Sequence, residues 1–430
     1  MASESANLDY LSLHPFVRST VVEKVRGTLI GSALGDAVGL YTEFLSKQQA
    51  TEAYDGQSIS LIPPVTPFFG DGHRDKFVEC FWTDDTDHSL LMILTYLHHD
   101  GQLKPIEFAK RLQSWCSQGL RVLDRLPLGL GRTVKTVTGD PLFTTDPFAV
   151  AKAKWLESGR NNAANGSLMR THPLGIICVG KTREETFEIA MEMSLVSHFD
   201  PRCAVACCIV TGLIRGILRG EVLCETDVDA VIEAAYSFVE ARPKTWDHPD
   251  PEFPDAQLLD REDFHRHIYA ADLAALELDD RRKIGYVYKA LGTAVVTLRR
   301  GIRGGNFKEL IFELVMEGGD ADTNACIAGA VLGSWTGFTD LPREWRDGLE
   351  HKEWMMGIVE KLCWTVGIVE GECKGSDDPD TAFDGGRGLF NEDQMRLREK
   401  TLVDHVYSKM LQRDMDRKAM EKKGKKWFNL

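Results

Sequence analysis

The stretch FWTDDTDHSLLMILTYL, residues 81 to 97, decides how the rest of the chain is read. Asp84, Asp85 and Asp87 run straight into an apolar segment with helical spacing. An ionised carboxylate carried into such surroundings is costly unless a cation or a set of donors meets it. Asp and Thr are ordinary N-cap residues, and helix starts favour carboxylates, so capping alone explains one such cluster. A second cluster changes the weighing. GGDADTNACIAGAVLGSW, residues 318 to 335, again sets Asp320, Asp322 and Thr323 at the start of a helix, this one rich in small residues. Together with Thr83 these residues form an all-oxygen donor set of the kind hard divalent cations take: Mg²⁺, Mn²⁺ or Ca²⁺. The DAD alternation can turn both carboxylates to one side. Adjacent Asp84 and Asp85 diverge by about 100° on a helix and can serve different ions. Two divalent ions balance the four Asp charges, so a two-metal site is the economical expectation.

Working outward, helical periodicity dominates. Residues 22–39, 89–99, 105–116, 185–198, 203–220, 227–241, 284–301, 307–318, 323–335 and 354–369 all read as amphipathic or wholly buried helices. Strand-like alternation is scarce, and LIPPVTPFF (61–69) carries prolines that argue against a central strand. The expectation is an all-α globule, with a main body over 18–370 and a C-terminal loop and charged helical extension over 371–430. ARPKTWDHPDPEFPDAQ (241–257) reads as a surface loop, SDDPD (376–380) as solvated loop, and a long charged helix is expected from about Asn391. In the first helix Gly27, Gly31, Gly35 and Gly39 recur every four residues. Each costs about 1 kcal/mol against alanine in a helix interior. Close approach of another helix is the reading for Gly27 and Gly31. For Gly35 and Gly39, which flank Asp36 and precede Glu43, a ligand weighs equally.

The chain has 430 residues and a net charge of −14, which repels nucleic acid and anionic membrane surfaces as a whole. No direct nucleic-acid binding and no membrane association are expected. The basic tail DRKAMEKKGKKWFNL is the local exception and reads as a solvated helix end. Ten cysteines without a CxxC pair read as buried free thiols of a reducing compartment. With no signal-like start, the expectation is a cytoplasmic protein, the nucleus being open as well. His172, a lone histidine before proline, reads as a core-edge residue.

Six blocks, GSALGDAVGLYTEF, FWTDDTDHSLL, NNAANGSLMRTHPLGI, SLVSHFDPRCAVACC, GYVYKALGTAVVTL and GGDADTNACIAGAVLG, occur in an order that resembles the ADP-ribosylglycohydrolase superfamily, which includes the dinitrogenase reductase-activating glycohydrolases and the ADP-ribosyl-acceptor hydrolases. The resemblance implies a compact orthogonal bundle of helices with a binuclear Mg²⁺ or Mn²⁺ centre. It implies Thr83, Asp84, Asp85, Asp320, Asp322 and Thr323 as metal ligands, and Asp84 and Asp322 as part of the catalytic set with Glu43. ADP-ribose or an ADP-ribosylated protein is the implied partner. Asp36, Asn165, Gly166, Ser167, His198 and Tyr286 would contact it, Tyr286 by stacking on the adenine. Ala164 departs from the usual glycine of the Asn165 block.

The implied reaction is hydrolysis of the C1″ bond of an ADP-ribosyl group, with Glu43 handling a proton. The leaving group stays open between arginine, serine, acetyl, phosphate and a small molecule. LPLGLGRTVKT, the stretch that aligns with the loop where arginine-directed relatives carry an acid, has none; Arg132 there would favour an anionic leaving group. A non-catalytic ADP-ribose binder and a metal-dependent nucleotide phosphohydrolase are the alternatives. Oligomeric state is not legible.

Overall fold

The computed structural model describes residues 7–54, 58–246 and 259–427. Seventeen α-helices and several 3-10 turns account for the regular structure, and the described residues contain no strand, only an isolated antiparallel bridge between Ala164 and Tyr286. The all-α expectation holds. Each long periodic run in the sequence is a helix, and short ones such as Lys47–Tyr54, Arg132–Thr138 and Pro147–Glu157 were too brief for periodicity to reveal.

Two helices form the axis of the molecule: Pro15–Gly39 and Ala321–Thr336. They run antiparallel with their backbones in contact. A Cβ on Gly27 would stand 2.2 Å from the Gly333 carbonyl oxygen, one on Gly35 1.9 Å from that of Ala325, and one on Gly39 2.4 Å from the Asp322 Cα. The contact is mutual, since a Cβ on Gly333 would lie 2.0 Å from the Gly27 carbonyl. All four glycines of the ridge therefore serve helix-on-helix approach, which offsets their helix propensity cost. The pairing also sets the C-terminal end of one helix beside the N-terminal end of the other.

Around this axis pack Asp84–His98, Pro201–Arg219 and Val287–Ile302. Pro201–Arg219 is apolar and long enough to cross a membrane, but 94% of its apolar window is buried inside the fold. It starts at Asp200, whose Oδ1 accepts from the Arg202 amide (3.1 Å), and stops at Gly220 in the left-handed region. All ten cysteines are free thiols, six of them buried.

The 371–391 segment differs from its reading as a spacer of solvated loop. Lys361 Nζ pairs with Asp378 Oδ2 (2.6 Å), and Arg111 donates to the Thr381 carbonyl (2.8 Å). Arg387 donates to the Val122 carbonyl (3.0 Å). Asp378 and Thr381 are buried while Ser376, Asp377 and Pro379 are exposed, so SDDPD is a surface turn anchored to the body by its ion pair. The charged helix follows over Glu392–Trp427. Most of the proline-rich loop and residues 428–430 of the basic tail lie outside the described residues.

Gly35→Ala should lower unfolding free energy by about 3 kcal/mol or more, because backbone meets the new Cβ and neither helix can yield locally. Gly72→Ala, with no atom within 4 Å of the new Cβ, should stay within about 0.5 kcal/mol. Denaturant unfolding checks both, and equal effects would contradict the ridge.

Candidate active site

The glycine contact delivers the site. Past Gly39 the chain turns through residues 40–45, and this turn is hydrogen-bonded to the one that precedes the partner helix. The Phe44 amide donates to the Gly319 carbonyl (2.6 Å), and the Gly319 amide donates to that of Leu45 (2.9 Å). Gly318 and Gly319 both have left-handed φ (71° and 73°), and a Cβ on either would fall within 2.3 Å of a backbone oxygen. Only glycine fits there, and the result is Glu43 beside Asp320 and Asp322.

The start of Asp84–His98 forms the third wall. Its N-cap Thr83 makes no side-chain cap. Asp36 caps it from the neighbouring helix: Oδ1 accepts from the Thr83 amide (2.8 Å), Oδ2 from the Thr86 amide (3.0 Å) and the Thr86 hydroxyl (2.6 Å). Asp36 was expected at the substrate. It is fully buried behind the cleft and is not among the lining residues, so it acts on the helix start instead. Burial pushes it up to about 6 against those hydrogen bonds. Asp87 accepts from Trp82 Nε1 (2.8 Å), Trp115 Nε1 (3.0 Å) and Arg125 Nε (3.1 Å), a structural role the sequence did not reveal.

The oxygen donors predicted from the two clusters come together. Carboxylate oxygens of Asp36, Asp85 and Asp322 lie within 4.8 Å of one another, as do those of Glu43, Asp320 and Asp322. Thr83 Oγ1 donates to Asp85 Oδ2 (3.0 Å) and lies 3.4 Å from Asp322 Oδ2. Glu43, Asp84, Asp320, Asp322 and Thr323 line one cleft of about 880 Å³. Asp84 faces the cleft, whereas Asp85 faces the Asp36–Asp322 side, as adjacent helical positions require. Gly129 (φ 97°) lets the opposite wall close on Asp84, since a Cβ there would lie 2.0 Å from Asp84 Oδ1.

Burial, and then the neighbouring acids, push Glu43, Asp84, Asp85 and Asp322 well above their usual range; burial also raises Asp320. Asp85 Oδ1 is buried with no hydrogen-bond partner. An oxygen-only donor set with uncompensated charge and an orphaned acceptor fits divalent cations.

The far side of the cleft is neutral, then basic. Asn165 Nδ2 donates to Asp320 Oδ2 (2.7 Å), and its amide donates to the Gly285 carbonyl (3.1 Å). Gly166 leaves the edge of His198 open: a Cβ there would sit 2.9 Å from Nε2. Two residues that sequence reading passed over orient this imidazole. Arg170, fully buried, donates to Ser197 Oγ (2.7 Å), which contacts His198 Nδ1 (2.8 Å). Ser197 Oγ accepts from the guanidinium and shares a hydrogen bond with His198 Nδ1, which fixes the orientation of the ring. His198 Nε2 is buried without a partner among the described residues, and the imidazole lines the cleft. Burial, then Arg170, holds His198 well below its usual pKa, hence neutral. Ser167, expected at the ligand, accepts from Ser194 Oγ (2.9 Å) behind the loop and does not line the cleft. Tyr286 does line it; its hydroxyl donates to Asp263 Oδ2 (2.5 Å), and Arg202 lies 5.7 Å from its ring centre. Arg132, Arg281, Arg282 and Lys283 complete the rim.

The ADP-ribosylglycohydrolase family model matches residues 18–371. The chain belongs to the ADP-ribosylglycohydrolase family. It is 23% identical over 347 residues to the ADP-ribosylarginine hydrolase Tri1 of Serratia proteamaculans, covering 80% of each chain. It is 22% identical over 345 residues to the ADP-ribosyl-[dinitrogen reductase] glycohydrolase of Rhodospirillum rubrum, covering 77% of this chain and 92% of that one. A solved ADP-ribosylglycohydrolase-related protein complex shares the fold with a TM-score of 0.53 at 22% identity, over 81% of this chain and 99% of its own. Within this chain, the DGHRDKF segment supplies what no motif announced: His73 Nε2 lies 2.5 Å from Glu43 Oε2, and Arg74 donates to the carbonyls of Tyr41 (2.9 Å) and Glu43.

The raised carboxyls make stability depend on pH. Unfolded Asp and Glu titrate near 3.8 and 4.5, whereas the folded cluster holds its protons higher, Asp36 to about 6. The native state thus binds more protons than the unfolded state in that window, and raising pH lowers stability. In chelator, Tm should fall between about pH 5 and about pH 7.5 as the cluster ionises. Mg²⁺ or Mn²⁺ should raise Tm, more at the higher pH. Thermal-shift titrations check this; a flat profile indifferent to either cation would contradict the site.

Proposed function

We propose that the protein is a divalent-cation-dependent hydrolase that cleaves the C1″ glycosidic bond of an ADP-ribosyl group and releases ADP-ribose. One observation carries the reading: a single cleft holds a buried all-oxygen acidic cluster at one end and neutral donors with a basic rim at the other. An ADP-ribosyl group has matching chemistry, with ribose hydroxyls for the acidic end and a diphosphate for the basic rim. The relatives, an ADP-ribosylarginine hydrolase and an ADP-ribosyl-[dinitrogen reductase] glycohydrolase, agree with that substrate kind.

Thr83, Asp84, Asp85, Asp320, Asp322 and Thr323 would hold two ions, Mg²⁺ or Mn²⁺. When bound, these would supply charge stabilisation, orientation of the distal ribose and activation of a water. The chain's own residues do the rest. Asn165, Gly166 and His198 fix the ligand along the cleft, and Tyr286 forms its wall. Departure of the leaving group develops oxocarbenium character at C1″. An alcohol or amine takes up a proton as it departs, a carboxylate or phosphate leaves as the anion, and in every case the attacking water gives up a proton. Glu43 is buried at the acidic end and in contact with His73, so it is the group to give or take that proton. Burial, followed by the Arg74 charge, pushes His73 down to about 4, which keeps it a neutral partner for the carboxyl.

The Gly129–Arg132 wall offers no carboxylate to a guanidinium. This favours a neutral or anionic leaving group over arginine, and Arg132 supports that choice.

The test is incubation with Mg²⁺ and arginine-, serine-, acetyl- and phosphate-linked ADP-ribose, with products identified by mass. Free ADP-ribose is expected; AMP would indicate a phosphohydrolase, and binding without turnover a binder. Glu43→Gln should retain cation and ADP-ribose binding while lowering turnover by about 10²–10⁴. Unchanged turnover would remove Glu43 from the mechanism. Asp322→Asn should abolish turnover together with the cation-induced rise in Tm.

A further inference from the structure

The family match ends at residue 371, yet the helix Glu392–Trp427 reaches the catalytic end of the cleft. Its first turns are anchored to the body. Arg398 donates to the carbonyls of Gln118 (3.2 Å) and Asp124 (3.0 Å), and Gln118 exchanges hydrogen bonds with the Phe390 backbone (2.8 and 3.1 Å). Further along, Arg413 makes a two-pronged ion pair with the carboxylate of Asp75. Asp75 is 4% exposed. Gly70 makes room for the arginine, as a Cβ there would lie 2.8 Å from its Cδ. One turn earlier, Lys409 Nζ reaches the Phe77 carbonyl (3.4 Å).

The segment held in this way, residues 70–77, is the one that touches Glu43. Arg74, 1% exposed, binds the Tyr41 and Glu43 carbonyls and Asp71. His73, wedged between the rings of Phe44 (4.8 Å) and Phe77 (5.4 Å), meets the Glu43 carboxyl. A buried carboxylate that loses its only cation is strongly destabilised where it stands. Removing Arg413 would therefore displace the turn carrying Asp75, and with it His73 and Arg74.

We propose that Arg413 is a positioning residue for Glu43, acting through Asp75 and the 71–77 turn, so that the C-terminal helix is part of the catalytic apparatus. The proposal rests on the reading of Glu43 as the proton-handling group. The experiment uses full-length Arg413→Ala and Arg413→Lys, compared with wild type by steady-state ADP-ribose release and amide hydrogen exchange. Arg413 is partly exposed, so both variants should fold. Arg413→Ala should lower kcat about tenfold with KM within about twofold. Exchange should rise in 41–45 and 71–77 and stay unchanged in 84–98 and 321–336. Arg413→Lys, which keeps the charge but not the fork, should fall between. Wild-type exchange in those two segments, or raised exchange with unchanged kcat, overturns the proposal. Exchange needs no turnover, so a wild type that releases no ADP-ribose defeats the functional reading while the positioning claim is judged on exchange alone.

Discussion

The structure depends on one contact, the backbone-to-backbone approach of Pro15–Gly39 and Ala321–Thr336. Ordinary helix pairs are held apart by side chains at 8–10 Å between axes. Here glycines face glycines and alanine, with each would-be Cβ blocked by a carbonyl of the other helix. The consequence is chemical as well as architectural. Gly39 rests on the Asp322 backbone, so the acid that ends one motif and the acids that open another are forced into a common volume. A larger residue in the ridge would separate the helices and, by the same displacement, dilute the carboxylate cluster.

That cluster is unfavourable on its own. Helix N-termini at residues 84 and 321 supply partial positive charge and free amides, and Asp36 uses two such amides together with the Thr86 hydroxyl. Asp87 is satisfied by two indoles and Arg125. Comparing these two with Glu43, Asp84, Asp85 and Asp322 separates acids satisfied by protein donors from acids that are not, although burial raises Asp36 as well, to about 6. The former have their lone pairs met by donors from the protein. The others are raised well out of their usual range by burial and by one another, and Asp85 keeps an unpaired buried oxygen. A fold tolerates that deficit where something outside the chain removes it.

The same distinction explains what the sequence disclosed. The helices were legible because their apolar periodicity is long, and the two acidic clusters because Asp and Thr recur at helix starts with nothing else to explain the repetition. Gly27 to Gly39 announced a close approach, although whether to a helix or to a ligand needed the three-dimensional partner. Asp36 and Ser167 were misplaced because a motif gives proximity to a site but not the direction in which a side chain points. Both sit one layer behind the cleft. Arg170 and Ser197 went unread for the opposite reason: they act only through His198, and a relay of polar contacts between distant segments has no local pattern. SDDPD looked solvated because its partners, Lys361 and Trp354, lie on a helix that composition cannot bring to it.

The division between rigid and adjustable parts follows from these contacts. The acids proposed to hold cations stand on the first turns of Asp84–His98 and Ala321–Thr336; the glycine ridge fixes the second of these helices and Asp36 caps the first. Glu43 stands just beyond the end of a helix, in a turn that includes Phe44 at positive φ, and its side chain is oriented by the 71–77 turn rather than by its own helix. A group that must move a proton to departing atoms of varying geometry benefits from such a setting, whereas ion ligands do not. The adjustable turn is in turn clasped by Arg413, from a stretch of chain outside the family match. The acidic cluster thus resides at helix starts, whereas the placement of the Glu43 carboxyl falls to the 71–77 turn and to a helix, Glu392–Trp427, that lies outside the family match.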